Sequence, residues 1–150
     1  MPPLTPDDRA AALALATKAH AGQTDKTGVD YMVHVRAVAA GVQDRALVYQ
    51  ITALLHDTVE DCDDPELVSL AIIGARFGDT VRDAVDAITK RKGERYKEEY
   101  LARVRANPVA RAVKLADIAH NKSRLRNLQA ADRERLSAKY DMALHYLADD

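Results

Sequence analysis

Apolar positions in this chain recur with the period of a helix, and no stretch alternates convincingly enough to read as a strand. Val81, Ala84, Val85 and Ile88 stand at i, i+3, i+4 and i+7, and Ala12, Leu15, Ala16 and Ala19 repeat that spacing near the start. Thr5-Pro6-Asp7-Asp8 opens the first helix with a hydroxyl cap, a first-turn proline and acids on the positive dipole end. Gly22 closes it, at about Ala21. The pattern then predicts a loop from Gly22 to Val33 and helices over about His34 to Val42 and Arg45 to Asp61. A fourth helix restarts at Asp64-Pro65-Glu66, with Leu67, Leu70 and Ala71 facing inward, and a fifth follows Gly78. Tyr96, Tyr100, Leu101 and Val104 mark a sixth, about Val109 to Leu128 a seventh, and about Asp132 to Ala148 an eighth. With no internal repeat and no low-complexity linker, the fold class is all-α. We expect a single domain over residues 1–150, a bundle of about eight helices with short connections.

Composition narrows the partners. Twenty-two basic against 23 acidic residues give a net charge of −1, so no general basic field is available to grip duplex nucleic acid. No run of about 18 apolar residues appears and the start lacks the form of a secretory leader, so a cytoplasmic protein without a membrane partner is expected. The single cysteine, Cys62, excludes an internal disulfide or a cysteine-rich zinc site, and Asp61 and Asp63 beside it disfavour a thiolate.

The candidate chemistry sits where apolar periodicity breaks into polar groups. ALLHDTVED, Ala53 to Asp61, ends a buried run with His56, Asp57, Glu60 and Asp61. On a continuous helix these would share one face in two rows, one turn of about 5.4 Å apart. Three carboxylates that close repel one another and resist burial, which a divalent cation would relieve. A second break occurs in VKLADIAHN, where Asp117, His120 and Asn121 share a face. With His34, the set His34, His56, Asp57 and Asp117 offers two imidazoles and two carboxylates and no thiolate, which suits Mn²⁺ or Fe²⁺ better than structural zinc. Lys26 and Tyr31 in the first loop are placed to hold a phosphate and a base or sugar. Lys90-Arg91-Lys92 reads first as a helix end complementing its dipole. His20 and His120 are expected to support the site and His145 to be exposed.

These motifs carry a resemblance. HAGQ at His20 to Gln23, Lys26 with Gly28, Tyr31 and His34, ALLHDTVED, Phe77-Gly78, Ile88-Thr89-Lys90 and KLADIAHN follow one another as in the HD-domain metal-dependent phosphohydrolases. The chain resembles in particular the small single-domain relatives of the RelA/SpoT-type (p)ppGpp hydrolases. The resemblance implies that His34, His56, Asp57 and Asp117 hold one Mn²⁺ and that Glu60 and Asp61 are the catalytic acid pair. It also implies that Lys26, Tyr31, Asn121 and Tyr140 contact a small-molecule nucleotide. The implied reaction converts guanosine 3′,5′-bis(diphosphate) to GDP and pyrophosphate. Phosphatase action on another nucleotide or dinucleotide such as NADPH, or a non-catalytic nucleotide-sensing module, are the alternatives. Asp25 stands where the family commonly has an arginine before the lysine, and Ile118 where an arginine often follows KLAD, so two positive charges toward the substrate are missing. Oligomeric state is not legible in the sequence.

Overall fold

The computed structural model describes residues 2–148, and all its regular elements are helical apart from an isolated bridge between Thr24 and Asp30. In order, the α-helices among the described residues are α1 Pro6–Ala19, α2 Met32–Ala40, α3 Leu47–Leu55, α4 Thr58–Asp61, α5 Leu70–Phe77, α6 Asp79–Ile88, α7 Ala102–Ala106, α8 Pro108–Ser123 and α9 Ala130–Ala148. A π-helical turn, Tyr96–Leu101, leads into α7, and a 3-10 turn, Leu125–Asn127, follows α8. The all-α class is as expected.

Helix α3 is the axis of the bundle. Its consecutive residues Ile51 to Leu55, apolar except Thr52, are all buried, so this half of the helix is enclosed on every side. It packs against α1, α2, α6 and α8, while α8 also meets α2, α6, α7 and α9. Helices α2, α3 and α8 therefore touch one another pairwise, and the residues facing into their junction come from all three. The C-terminal end of α2 comes very close to α8. A Cβ placed on Gly41 would lie 2.9 Å from Cβ of Ala116, inside the contact limit, although Gly41 itself has ordinary helical backbone angles.

Local signals explain the ends. Thr5 and Asp8 form a reciprocal capping box, with Thr5 N donating to Asp8 Oδ2 at 2.8 Å and Asp8 N to Thr5 Oγ1 at 3.3 Å. Asn107 caps α8 by accepting from Ala110 N at 3.0 Å, with Pro108 filling the first helical position.

Two expectations about the elements are corrected. The helix expected over Arg45 to Asp61 is interrupted: α3 ends at Leu55, His56 and Asp57 form a turn, and α4 is a single separate turn. The Ala53 carbonyl accepts from His56 Nδ1 at 2.7 Å and the Leu55 carbonyl from Thr58 Oγ1 at 2.8 Å. Side chains taking up backbone carbonyls compete with the helical ladder, and that competition loosens the helix at this point. The fourth predicted helix begins later than Asp64-Pro65-Glu66. Asp64 instead closes a turn by accepting from Glu66 N, and Ser69 caps α5 by accepting from Ile72 N. Ala71 is consequently exposed, and Ile73 and Phe77 carry the buried face.

Candidate metal centre

Each of the three mutually packed helices brings one part of the site. His34 lies in the first turn of α2, His56 is the C-cap of α3 with Asp57 next to it, and Asp117 projects from the middle of α8. One ligand atom from each of these four lies within 4.8 Å of the others. His34 Nε2 is 2.7 Å and His56 Nε2 3.3 Å from Asp117 Oδ1, and His56 Nε2 is 2.9 Å from Asp57 Oδ2. His34, His56 and Asp117 are buried and Asp57 is half-buried.

The donor set fits a divalent cation for a reason visible in the rings' other nitrogens. His56 Nδ1 faces the Ala53 carbonyl, so it carries the proton and leaves the Nε2 lone pair pointing at two carboxylates. His34 Nδ1 lies 2.7 Å from Nδ1 of His120, where a proton donated by His34 again leaves its Nε2 unprotonated. A lone pair 2.7 Å from a carboxylate oxygen is repulsive unless a proton or a cation lies between them. With protons in that role, burial disfavours the His56 imidazolium, but Asp57 and Asp117 outweigh it and hold its pKa well above the usual value. Burial alone would raise Asp117; Lys114, His34 and His56 overcome it and hold the carboxyl well below the usual range.

Outer partners fix these side chains. The Tyr31 phenol donates to Asp57 Oδ2 at 2.6 Å, and burial followed by Asp57 raises its pKa. Lys114 Nζ donates to Asp117 Oδ2 at 3.0 Å, with the Tyr100 ring 5.3 Å from the ammonium. Asn121 Nδ2 reaches Asp117 Oδ1 at 3.5 Å. His20, almost fully buried, is not among the four converging residues. Its Nδ1 bonds Gln23 Oε1 at 2.8 Å and its ring packs on Tyr31, so it supports the partner of Asp57. Lys114 was not singled out from the sequence, although it precedes Asp117 by three residues and such pairs meet on a helix.

Glu60 and Asp61 stand beyond the break, exposed at the mouth of the site, rather than in a second row on the same helix face. Glu60 Oε1 accepts from Lys90 N at 2.7 Å, and the Asp61 carbonyl accepts from Gln23 Nε2 at 3.0 Å. Partial desolvation, then repulsion from Asp57 and Glu60, pushes Asp61 up to about 7. Desolvation, opposed by the Lys90 amide and assisted by Asp57, also raises Glu60.

Beside the ligands opens a cavity of about 310 Å³. All four residues expected to contact a substrate, Lys26, Tyr31, Asn121 and Tyr140, line it, as does His34, while Glu60 and Asp61 do not. Asp25 also lines it, paired with Arg124, whose Nη2 is 3.1 Å from Asp25 Oδ2. His145 is exposed, as expected.

The sequence profile of the HD domain matches residues 12–144. The chain belongs to the HD domain family. Within this HD domain, His34, His56-Asp57 and Asp117 all fall inside the matched span. Among curated proteins, it is 38% identical over 78 residues to a guanosine-3′,5′-bis(diphosphate) 3′-pyrophosphohydrolase of Vibrio cholerae, covering 51% of this chain and 10% of that protein. Over 139 residues it is 30% identical to the bifunctional (p)ppGpp synthase/hydrolase SpoT of Escherichia coli, covering 84% of this chain and 19% of that protein. The chain thus spans between a tenth and a fifth of the length of these relatives. A structure described as a metazoan ortholog of SpoT that hydrolyzes ppGpp superposes with a TM-score of 0.80, covering 98% of this chain and 88% of that one at 22% identity. That likeness establishes a shared fold. No helix among the described residues is long and apolar enough to cross a membrane.

Proposed function

We propose that this HD domain is a divalent-metal-dependent phosphohydrolase that cleaves guanosine 3′,5′-bis(diphosphate) to GDP and pyrophosphate. The observation that carries the reading is the convergence of His34, His56, Asp57 and Asp117 within 4.8 Å beside a cavity lined by Lys26, Tyr31, Asn121 and Tyr140. The named activities of the Vibrio cholerae and Escherichia coli relatives support it. Mn²⁺ is the ion we assign, because mixed imidazole and carboxylate donors without thiolate favour a borderline-to-hard cation, and Fe²⁺ satisfies the same donors.

When bound, such an ion lowers the pKa of a coordinated water toward about 7 and polarises a phosphoryl oxygen. The chain's own groups supply the rest. Tyr31, Lys114 and Asn121 hold Asp57 and Asp117 in place, while the hydrogen bonds of His56 and His34 present their Nε2 lone pairs. Glu60, anchored by the Lys90 amide, accepts the proton of the attacking water. Water oxygen bonds to the phosphorus attached to the 3′-oxygen, and that P–O bond breaks in line. Asp61 delivers a proton to the departing 3′-oxygen. Lys26 screens the remaining phosphate charge.

A panel of nucleotides incubated with the Mn²⁺-loaded protein tests the reading by product. Pyrophosphate from guanosine 3′,5′-bis(diphosphate) is expected. Orthophosphate from NADPH or another nucleotide would replace the substrate and keep the chemistry. Thermal stabilisation by nucleotides without any turnover would make the domain a sensor.

A further inference from the structure

The pair formed by Asp25 and Arg124 lies in the substrate cavity and has no part in the chemistry described above. Its bonding pattern is uneven. Asp25 Oδ1 accepts from Thr27 N at 2.8 Å, Thr27 Oγ1 at 2.7 Å and Val29 N at 3.0 Å, so the carboxylate is fastened to its own loop. The other oxygen accepts from Arg124 Nη2 at 3.1 Å, and the same nitrogen donates to Thr27 Oγ1 at 3.1 Å. Asp25 is therefore held in place, and Nη2 is spent. Among the described residues no acceptor is found for the Nη1 group of Arg124, and its Nε–H is buried without a partner. Of the two, Nη1 keeps its donors for a ligand.

The position and charge of the guanidinium decide what it can read. Arg124 follows α8 by one residue and shares the cavity wall with Leu125, Leu128 and Leu136, an apolar lining suited to a base rather than to phosphate. Neutralised by Asp25, it is a poor anchor for a polyanion, which would have to displace the carboxylate. A planar group held by two bonds at Nη2 instead presents only donors, those of Nη1, and no acceptor. Facing a purine, those donors meet the O6 and N7 acceptors of a 6-oxopurine, whereas a 6-amino group sets N–H against N–H.

We propose that Arg124, immobilised by Asp25 and Thr27, reads the base at this site and selects a 6-oxopurine nucleotide over a 6-aminopurine one. Asp25 is then the positioning residue for the guanidinium that follows α8. The inference rests on the reading of the cavity as a nucleotide site, and two measurements keep the two apart. The first compares kcat/KM of the Mn²⁺-loaded protein for guanosine and adenosine 3′,5′-bis(diphosphate). The second compares affinity for GDP and ADP by calorimetry, which needs no turnover.

We expect the guanine nucleotide to be favoured roughly tenfold or more in both. Arg124→Met should bring the ratio near one, chiefly through KM. Asp25→Asn should reduce the ratio while leaving Arg124 in the chain, an effect that loss of fold would not mimic. Equal affinity of the wild-type protein for GDP and ADP, or an Arg124→Met variant with an unchanged ratio, overturns the proposal. Turnover of neither substrate together with a clear GDP preference would remove the hydrolase reading and leave the base assignment standing.

Discussion

Glu60 and Asp61 are adjacent in the chain yet tied down differently, and their substitutions should separate. Glu60→Gln keeps the hydrogen bond from the Lys90 amide and removes the proton acceptor, so kcat should fall by about 10² to 10⁴-fold with metal content unchanged. An unaltered kcat would exclude Glu60 from the reaction. Asp61 makes a pH prediction. Its pKa of about 7 in the folded, metal-free protein lies above the ordinary 3.8, so the folded state binds the extra proton between those values. Stability contributed by this group is complete at low pH and is lost as pH rises through 7. Metal-free Asp61→Asn should therefore be more stable than the wild type at pH 8, with the difference vanishing near pH 4 in urea titrations; a difference constant with pH would refute the shift. Most of these residues were legible because each interrupts an apolar pattern with groups that resist burial. Lys114 escaped notice because lysine at a helix surface is ordinary; only its packing against Asp117 and Tyr100 gives it a task. Arg124 stands seven residues after Asp117, but its partner lies 99 residues away in the first loop, a pairing that periodicity does not encode.

The elements show where reading by period ends. Periodicity found each helical segment, and the core positions of α6, Val81, Ala84, Val85 and Ile88, are all buried. It could not see the break at His56-Asp57, because His56 and Thr58 loosen α3 through hydrogen bonds to carbonyls rather than through a proline or glycine. That break leaves Asp57 beside His34, His56 and Asp117, while α4 carries Glu60 and Asp61 beyond them. Nor did the pattern distinguish a turn at Asp64 from the cap at Ser69, as both residues are good helix starters. The contact between Gly41 and Ala116 gives an element-scale test of how the ligands are held together. Gly41→Ala places a methyl 2.9 Å from Cβ of Ala116 and must push α2 away from α8. We expect a loss of about 1–3 kcal/mol of stability. Weaker Mn²⁺ affinity should accompany it, because His34 rides on α2 and Asp117 on α8. Stability and metal affinity both equal to the wild type would show that the two helices yield without moving the ligands.

At the scale of the molecule, α2, α3 and α8 meet at one junction, and the site is what they leave there. Helices α1, α6 and α9 pack around that junction, with α1 on α3, α6 on α3 and α8, and α9 on α8. The sequence conveyed the all-α class and singled out the four side chains that converge, because both rest on residue type and spacing. The cavity, and the loop-to-α8 pairing within it, arise only when Asp25 and Arg124 are brought together by the whole fold. The central claim is that four side chains from three helices hold one divalent ion on which release of pyrophosphate depends. The most direct measurement takes the wild-type protein and Asp117→Ala through the same assay, counting bound Mn²⁺ and the products of guanosine 3′,5′-bis(diphosphate). One ion per wild-type chain with equal yields of GDP and pyrophosphate, and neither ion nor products from Asp117→Ala, is the predicted result. Full turnover by Asp117→Ala, or a wild-type chain that holds Mn²⁺ and releases no pyrophosphate, would contradict it.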